Sequence, residues 1–450
     1  METQDIQSLV FSGHARLRRT LAVGFAIEDR RLARAAMARL VEAHVAFGVP
    51  ARERKSAVQL VLSAAGIREM DGDDRAMEPL GFAFRQGMIS PQRSRALGDL
   101  GRNDPGLWHW SDRTAHLVLL IYHNDGDQGA ARPAALLGAS GSGLRQTFSL
   151  SCILPDDARE PFGFRDGITS LRMDTGLESG AMAGDLVAPG ELVLGRRNAQ
   201  GITLPAPPLG VDGSFVVLRQ LEQDVQGFWE FWRAQAASEE EAVWLAAKAV
   251  GRWPNGMPFR TDASRTQPAW MEDEMKRAWS FSKDPAGRDC PLGAHIRRAN
   301  PRETLFEDQT ASLTAASHHR LLRRGRMYGK AAPSAWYPAL VEQPQLGGGM
   351  GNETEGRGLL FAALCADLNR QFEFVQQSWL NNPKFMGLRD EVDPIAAGDD
   401  IPGNGRHFSI PQCPVRHRVS GVRGWVTVKG GGYFLLPGRN ALLGWLAGKA

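Results

Sequence analysis

Residues 20–44 read TLAVGFAI, then ED, then RRLARAAMARLVEAH, a change of hydrophobic period within one unit. The run Thr20–Ile27 is short and apolar, as in a buried strand. After Glu28–Asp29 the apolar positions take up a helical period on residues of high helix propensity. The unit recurs at Ser214–Leu221 (SFVVLRQL), which leads through EQDVQGFWEFWRAQA in the same way. Each copy later has a second strand-like run, His116–Tyr122 (HLVLLIY) in the first half and Gly358–Leu364 (GLLFAAL) in the second. The latter feeds ADLNRQFEFVQQSW, a further helical pattern. Strand, helix, strands, helix, twice over, predicts an α+β protein of two ferredoxin-like domains with long loops. The Gly/Pro-rich GITLPAPPLGVDG, residues 201–213, marks the boundary and gives domains 1–212 and 213–450. Irregular stretches at Ala130–Gly143, Gly251–Thr266, Ala331–Gly356 and Val392–Gly421 have the length of functional covers or oligomer contacts, which leaves a homo-oligomer open. Lys429–Pro437 (KGGGYFLLP) reads as a final hairpin, followed by a short helix from about Asn440.

The 450 residues carry 53 Lys+Arg against 50 Asp+Glu, and 43% are hydrophobic, which excludes disorder and gives no basic footprint for nucleic acid. The arginines between Arg16 and Arg34 read as a solvated helix face. Cys152, Cys290, Cys365 and Cys413 are scattered with no CxxC pair, so free thiols in a reducing compartment are expected. METQDIQSLVFSGHARLRRT has no apolar signal core, and runs such as Leu117–Tyr122 fall far short of a bilayer span of about 20 residues. The expectation is a cytoplasmic protein away from membranes. No GxGxxG follows a strand and no Walker motif occurs, so nucleotide cofactors have no support. Twelve Trp against four Tyr is an unusual ratio.

Three stretches carry chemistry. In Glu160–Ile168 (EPFGFRDGI), Gly163 and Gly167 bracket Asp166, so the backbone can turn tightly and approach a flat partner. Taken alone, this is also a common turn. In Asp289–Arg302 (DCPLGAHIRRANPR) a single histidine, His295, precedes Arg297, Arg298 and Arg302, which suit carboxylates or phosphates. A lone histidine is more often a hydrogen-bonded structural residue. Leu321–Gly329 (LLRRGRMYG) places Arg323, Arg324 and Arg326 around Gly325, and by charge alone reads as an exposed loop. His318 and His319 are adjacent, and neighbours rarely face one way, so they do not suggest a metal site.

Together, GFRDG and CPLGAHIRRANPR in this order and separation resemble the dye-decolorising (DyP-type) haem peroxidases. DIQSLV, FRQGM at 84–88, WHW at 108–110, GELVLG at 190–195, GRWPNGMP at 251–258 and FVQQSWLNNPKF at 374–385 extend the resemblance over nearly the whole chain. It implies a dimeric α+β barrel arrangement of the ferredoxin-like units and one haem b. It also implies H2O2 as oxidant, with dyes, phenols or other aromatic reductants giving up single electrons. By the same resemblance His295 is the axial iron ligand, Asp166 the distal acid–base group and Arg323 the distal arginine, with Arg324 as the alternative if the register slips by one. Gly167, Ile168 and Thr169 resemble the wall after the aspartate, Asn300 and Arg302 the haem-propionate turn, and Leu359 and Phe361 the apolar lining. A carboxylate on the far ring nitrogen would raise the basicity of such a ligand, and Glu373 is the candidate. Trp336, Tyr337, Trp379 and Trp425 are candidate surface relays for electrons. Pro161 stands where the family often has histidine, and Met327, beside Arg326, where proline is common; both are expected to tune access or rate. A non-catalytic haem carrier, or deferrochelatase-like release of iron from haem, is the rival reading.

Overall fold

The computed structural model describes residues 3–124, 132–168, 171–174, 186–259, 265–268, 280–345 and 356–448. Strand β1 (Arg19–Ile27) runs into helix α1 (Arg30–Ala43), whose first turn is capped by the Asp29 carboxylate accepting from the Arg31 and Leu32 amides. Strands β2 (Ala57–Ser63), β3 (Leu117–His123) and β4 (Leu144–Ile153) complete an antiparallel sheet of order β4-β1-β3-β2. The later residues repeat the plan. Strand β5 (Ser214–Gln223) leads into α2 (Val225–Ala234) and α3 (Glu239–Val250), then come β6 (Arg326–Gly329), β7 (Arg357–Cys365) and β8 (Val426–Leu436), in the order β8-β5-β7-β6. Each sheet has the strand order of a ferredoxin-like unit.

The two sheets close on one another. β8 pairs with β2 through Phe434↔Ser63 and Leu435↔Leu62, and β6 pairs with β4 through Met327↔Ile153 and Tyr328↔Cys152. The result is one eight-stranded ring with four strands from each half. Strands β1, β2 and β3 are buried on both faces and so read as nearly continuous apolar runs, whereas β7 alternates over its first half. Ala22, Val118, Leu120, Leu150, Val216 and Leu218 fill the interior. Val23, Phe25, Leu119, Phe215 and Val217 face outward under helices such as α1 and α6 (Arg439–Leu446).

Some expectations need correction. Lys429–Pro437 is not a hairpin: its glycines lie within the single strand β8, with which residues 110–111 pair in parallel. A Cβ on Gly430 would sit 2.5 Å from Trp110 Nε1, and one on Gly432 would sit 2.4 Å from Asp112 Cβ, so the glycines are needed for that close approach. The irregular stretch Val392–Gly421 contains a hairpin, His407–Ile410 with His417–Ser420. The arginines from Arg16 to Arg34 do not share a helix face, because Arg19 is buried in β1 and Arg34 donates to the Trp445 carbonyl. All four cysteines are free, and three of them are buried. Among the described residues no helix is long and apolar enough to cross a membrane.

Candidate active site

His295 opens the short helix α4 (His295–Ala299). The two arginines after it act as internal struts: Arg297 does bind a carboxylate, whereas Arg298 binds carbonyls alone. Arg297 is fully buried and donates to the Cys290 and Asp284 carbonyls and to the Asp284 carboxylate. Arg298, also fully buried, donates to the carbonyls of Gly293, Trp379, Asn382 and Glu391. It thereby ties α4 to the end of helix α5, whose Leu368–Glu373 and Val375–Leu380 segments are wound in π turns, and to the chain just before Asp393. Asp393 is the carboxylate that holds the histidine. Its oxygens lie 3.0 and 3.1 Å from His295 Nδ1, and its side chain has no exposed surface.

The expected partner, Glu373, is therefore wrong. Its position on α5 turns it toward β8, where Glu373 accepts from the Tyr433 hydroxyl (2.8 Å) and from Arg93 (2.5 Å). Asp393 carried only a local signal, an Asp-Pro turn whose carboxylate accepts from the Ile395 and Ala396 amides. Burial disfavours the His295 imidazolium, but the charge and hydrogen bond of Asp393 outweigh it and raise the imidazole above its usual value. Burial likewise pushes Asp393 up, and His295, the Ala396 amide and Arg298 pull it net below the usual carboxylate range. With Nδ1 pinned, Nε2 is the free nitrogen, on a side chain that remains about a third exposed (32%).

Asp166 sits on a loop tied at several points. Glu160 accepts from the Phe162 and Phe164 amides and from Gln223 on β5, while the Arg165 and Asp166 amides donate to the Pro254 and Ala158 carbonyls. Gly163 has φ 94°, and a Cβ there would meet Val341 at 2.5 Å, so the turn demands glycine. Pro161 offers its carbonyl to the Tyr337 hydroxyl at 2.6 Å. Asp166 meets Arg323 at 3.0 and 3.4 Å from Nη1, both side chains being about half exposed (49% and 48%). Desolvation pushes the Asp166 carboxyl up, but the Arg323 charge, the Gly167 amide and His295 hold it below its ordinary value.

The strand ladder settles which arginine points here. Arg323 is opposite Ala363, the Arg324 amide donates to the Ala362 carbonyl, and Arg326 is opposite Leu360. With a side-chain period of two, Arg323 shares a face with Leu359 and Phe361, both only partly buried. Arg324 and Arg326 fall on the other face and bind the carbonyls of Leu9, Val10, Gly13 and His14. Met327, on the Leu359 side of the ladder by register, is itself buried.

The charges of Asp166 and Arg323 bear on His295, and that of His295 on Asp166, so the two carboxylate-bound pairs are near neighbours. Ile168 lies over Gly256, where a Cβ would be 2.4 Å from its Cδ1. Asn300 and Arg302 follow α4 on the same turn, Arg302 with φ 52° and partly exposed. Thr169 lies outside the described residues. Of the four proposed surface relays, Trp379, Trp425 and Tyr337 are buried at 6%, 1% and 5% exposure, and only Trp336 is partly open. One pinned imidazole with a free nitrogen, a half-exposed carboxylate–guanidinium pair and an apolar wall form a donor set that fits a haem.

No family model matches the chain. It is 27% identical over 412 residues to the dye-decolorizing peroxidase msp1 of Mycetinis scorodonius, covering 86% of this chain and 76% of that one. Against the dye-decolorizing peroxidase AauDyP1 of Auricularia auricula-judae the identity is 30% over 361 residues, 74% of this chain and 65% of the relative. A solved dye-decolorizing peroxidase in complex with 2,6-dimethoxyphenol superposes with TM-score 0.80 at 25% identity, covering 99% of this chain and 100% of that one. The chain belongs to the dye-decolorizing peroxidase family. Dye-decolorizing peroxidases are haem enzymes, and this one is a peroxidase of aromatic donors. The eight-stranded ring is thus the α+β fold of a dye-decolorizing peroxidase.

Proposed function

We propose that this peroxidase would hold one haem b through His295 Nε2, with the Asp166–Arg323 pair serving the peroxide. The observation that supports this most is the Asp393 carboxylate 3.0 Å from His295 Nδ1, which leaves Nε2 to face a ligand. The haem, when bound, supplies the two-electron reduction of H2O2 and the one-electron oxidations of the donors. Asp166, ionised because Arg323 stabilises its charge, takes a proton from the oxygen nearer the haem and returns it to the departing one. Arg323 offers its guanidinium charge to the developing oxyanion. Asp393 fixes the His295 ring and its tautomer. Leu359 and Phe361 would exclude water, Gly167 and Ile168 would continue that wall, and Asn300 and Arg302 would receive the propionates. In this reading residues 1–212 supply the acid–base loop, residues 213–450 supply the ligand and the arginine, and the enzyme works in the cytoplasm.

The test is spectroscopic. Protein loaded with haem should show a Soret band that responds to H2O2. Asp166→Asn and Arg323→Leu should keep the band while slowing the response by about 10²–10⁴. His295→Ala should lose or loosen the haem. Unchanged kinetics in both distal variants would overturn the assignment, and haem binding without peroxide turnover in the parent protein would favour a haem carrier.

A further inference from the structure

Glu373, displaced from its expected role, makes a different contact. Its Oε1 accepts the Tyr433 hydroxyl at 2.8 Å, and its Oε2 accepts from Arg93 Nη1 at 2.5 Å. Tyr433 has no exposed surface, and the Glu373 side chain is 6% exposed. A phenol hydrogen-bonded to a carboxylate is poised for a coupled oxidation: when the ring loses an electron, the hydroxyl becomes strongly acidic and its proton has an acceptor at contact distance. Among the described residues, the other tyrosine hydroxyl with an identified partner, that of Tyr337, donates to the Pro161 carbonyl, which cannot take up a proton at working pH.

The rings around Tyr433 lead toward the proposed haem pocket. Tyr433 meets Phe372 edge-on with centroids 6.2 Å apart, and Phe372 lies 6.3 Å from Phe361. Phe361 shares the partly exposed face of Arg323 and Leu359, next to Asp166. Tyr433 and Phe372 are buried in one apolar cluster on the outer side of the barrel, and the partly exposed Phe361 packs against it. On the far side of Glu373, Arg93 runs out toward Phe82, over whose ring it lies at 5.8 Å, and Phe82 is exposed.

We propose that Tyr433 is an internal electron donor of this peroxidase and that Glu373 is its proton acceptor. The inference rests on the haem assignment made above. The step balances as follows. The Tyr433 phenol gives one electron, by way of the Phe372 and Phe361 contacts, to the enzyme that H2O2 has oxidised. Its O–H bond breaks, the proton moves to Glu373 Oε1, and a neutral phenoxyl remains. Reduction of the phenoxyl by an aromatic donor's electron returns the proton from Glu373 to the phenol. Resting ionisation agrees with this direction. Burial and the Glu373 charge hold the Tyr433 phenol well above its usual value, so it keeps its proton until it is oxidised. Burial raises the Glu373 carboxyl in spite of Tyr433 and Arg93, which makes it the better acceptor.

The experiment uses haem-loaded protein mixed with H2O2 in the absence of reductant, freeze-quenched and read by electron paramagnetic resonance. The expected signal is a tyrosyl radical that narrows when the protein is made with ring-deuterated tyrosine. Tyr433→Phe should reduce its yield at least tenfold. Glu373→Gln, which keeps a hydrogen-bond acceptor but cannot take the proton, should also reduce it at least tenfold. Tyr122→Phe should leave it unchanged. Circular dichroism and the Soret band of each variant confirm folding and haem loading. A tyrosyl signal that survives Tyr433→Phe, or no tyrosyl signal while the Soret band still responds to H2O2, overturns the proposal and leaves the haem assignment standing. A Soret band indifferent to H2O2 overturns the haem assignment itself, and the proposal with it.

Discussion

Replacing Asp393 by asparagine removes the buried negative charge beside His295 while keeping the side chain's size. The hydrogen bond it takes away is charge-assisted and two-pronged, at 3.0 and 3.1 Å, and bonds of that kind are worth about 1.5–3 kcal/mol. Stranding a buried cation would cost more, about 3–5 kcal/mol, but His295 can shed its proton, so the smaller figure applies. Altering such a partner of a metal-bound histidine weakens metal binding about 10–100-fold, which is about 1.4–2.7 kcal/mol and agrees with the bond's worth. Asp393→Asn is therefore expected to weaken haem binding by that factor, measured by Soret titration. A second readout needs no haem. Asp393 is the largest influence opposing desolvation at His295, so in the haem-free variant the imidazole should titrate below the usual histidine value instead of above it. Histidine-labelled protein followed by NMR across pH measures this directly. Haem affinity within twofold of the parent, together with an unmoved His295 titration, would refute the assigned partnership.

Arg323 lowers the Asp166 pKa, so the acid-side loss of peroxide reactivity should lie below the ordinary aspartate range and move to higher pH in Arg323→Leu, as a pH series of the H2O2 reaction would show. Arg298→Met leaves four buried carbonyls without their donor and should destabilise the protein by about 3–5 kcal/mol in urea unfolding, although Arg298 is not expected to touch substrate. Gly163→Ala forces a Cβ onto a φ of 94° and against Val341, and should cost about 1–3 kcal/mol of stability while slowing the H2O2 reaction by shifting Asp166. Adding Val341→Ala should restore only part of that stability, because it relieves the collision and not the backbone.

Local pattern made the repeat visible. A change from strand to helical period at residues 28–29 and again at 222–225 is written in neighbouring residues, and so is the alternation along β7. What lay beyond reach depends on contacts between distant segments. Nothing near Asp393 shows that its carboxylate turns to a histidine 98 positions away. Arg298 looks like an anion binder because charge is legible and burial is not; most of the carbonyls it satisfies belong to residues 379–391, far along the chain. The glycines of residues 430–432 suggested a turn, whereas they make room for Trp110 and Asp112 against the edge of a strand. Tryptophans favoured as surface relays were judged by type alone, and most of them pack inside.

The two places where the half-rings meet have a consequence for how the polypeptide can be divided. Each joint is a ladder of two residue pairs, whereas β5 and β8 are matched along ten. Hydrogen bonding across so short a joint contributes little by itself. The halves are clamped mainly by the shared apolar interior, to which both contribute, and a half made alone would expose that interior along with two raw strand edges. Nicking the polypeptide in the partly exposed segment at residues 199–206 would leave every strand of both half-rings intact. Two such fragments have mutually complementary borders and no other way to hide their oily faces, so reassembly from separate pieces is the outcome the architecture favours, and self-adhesion of either fragment is its hazard.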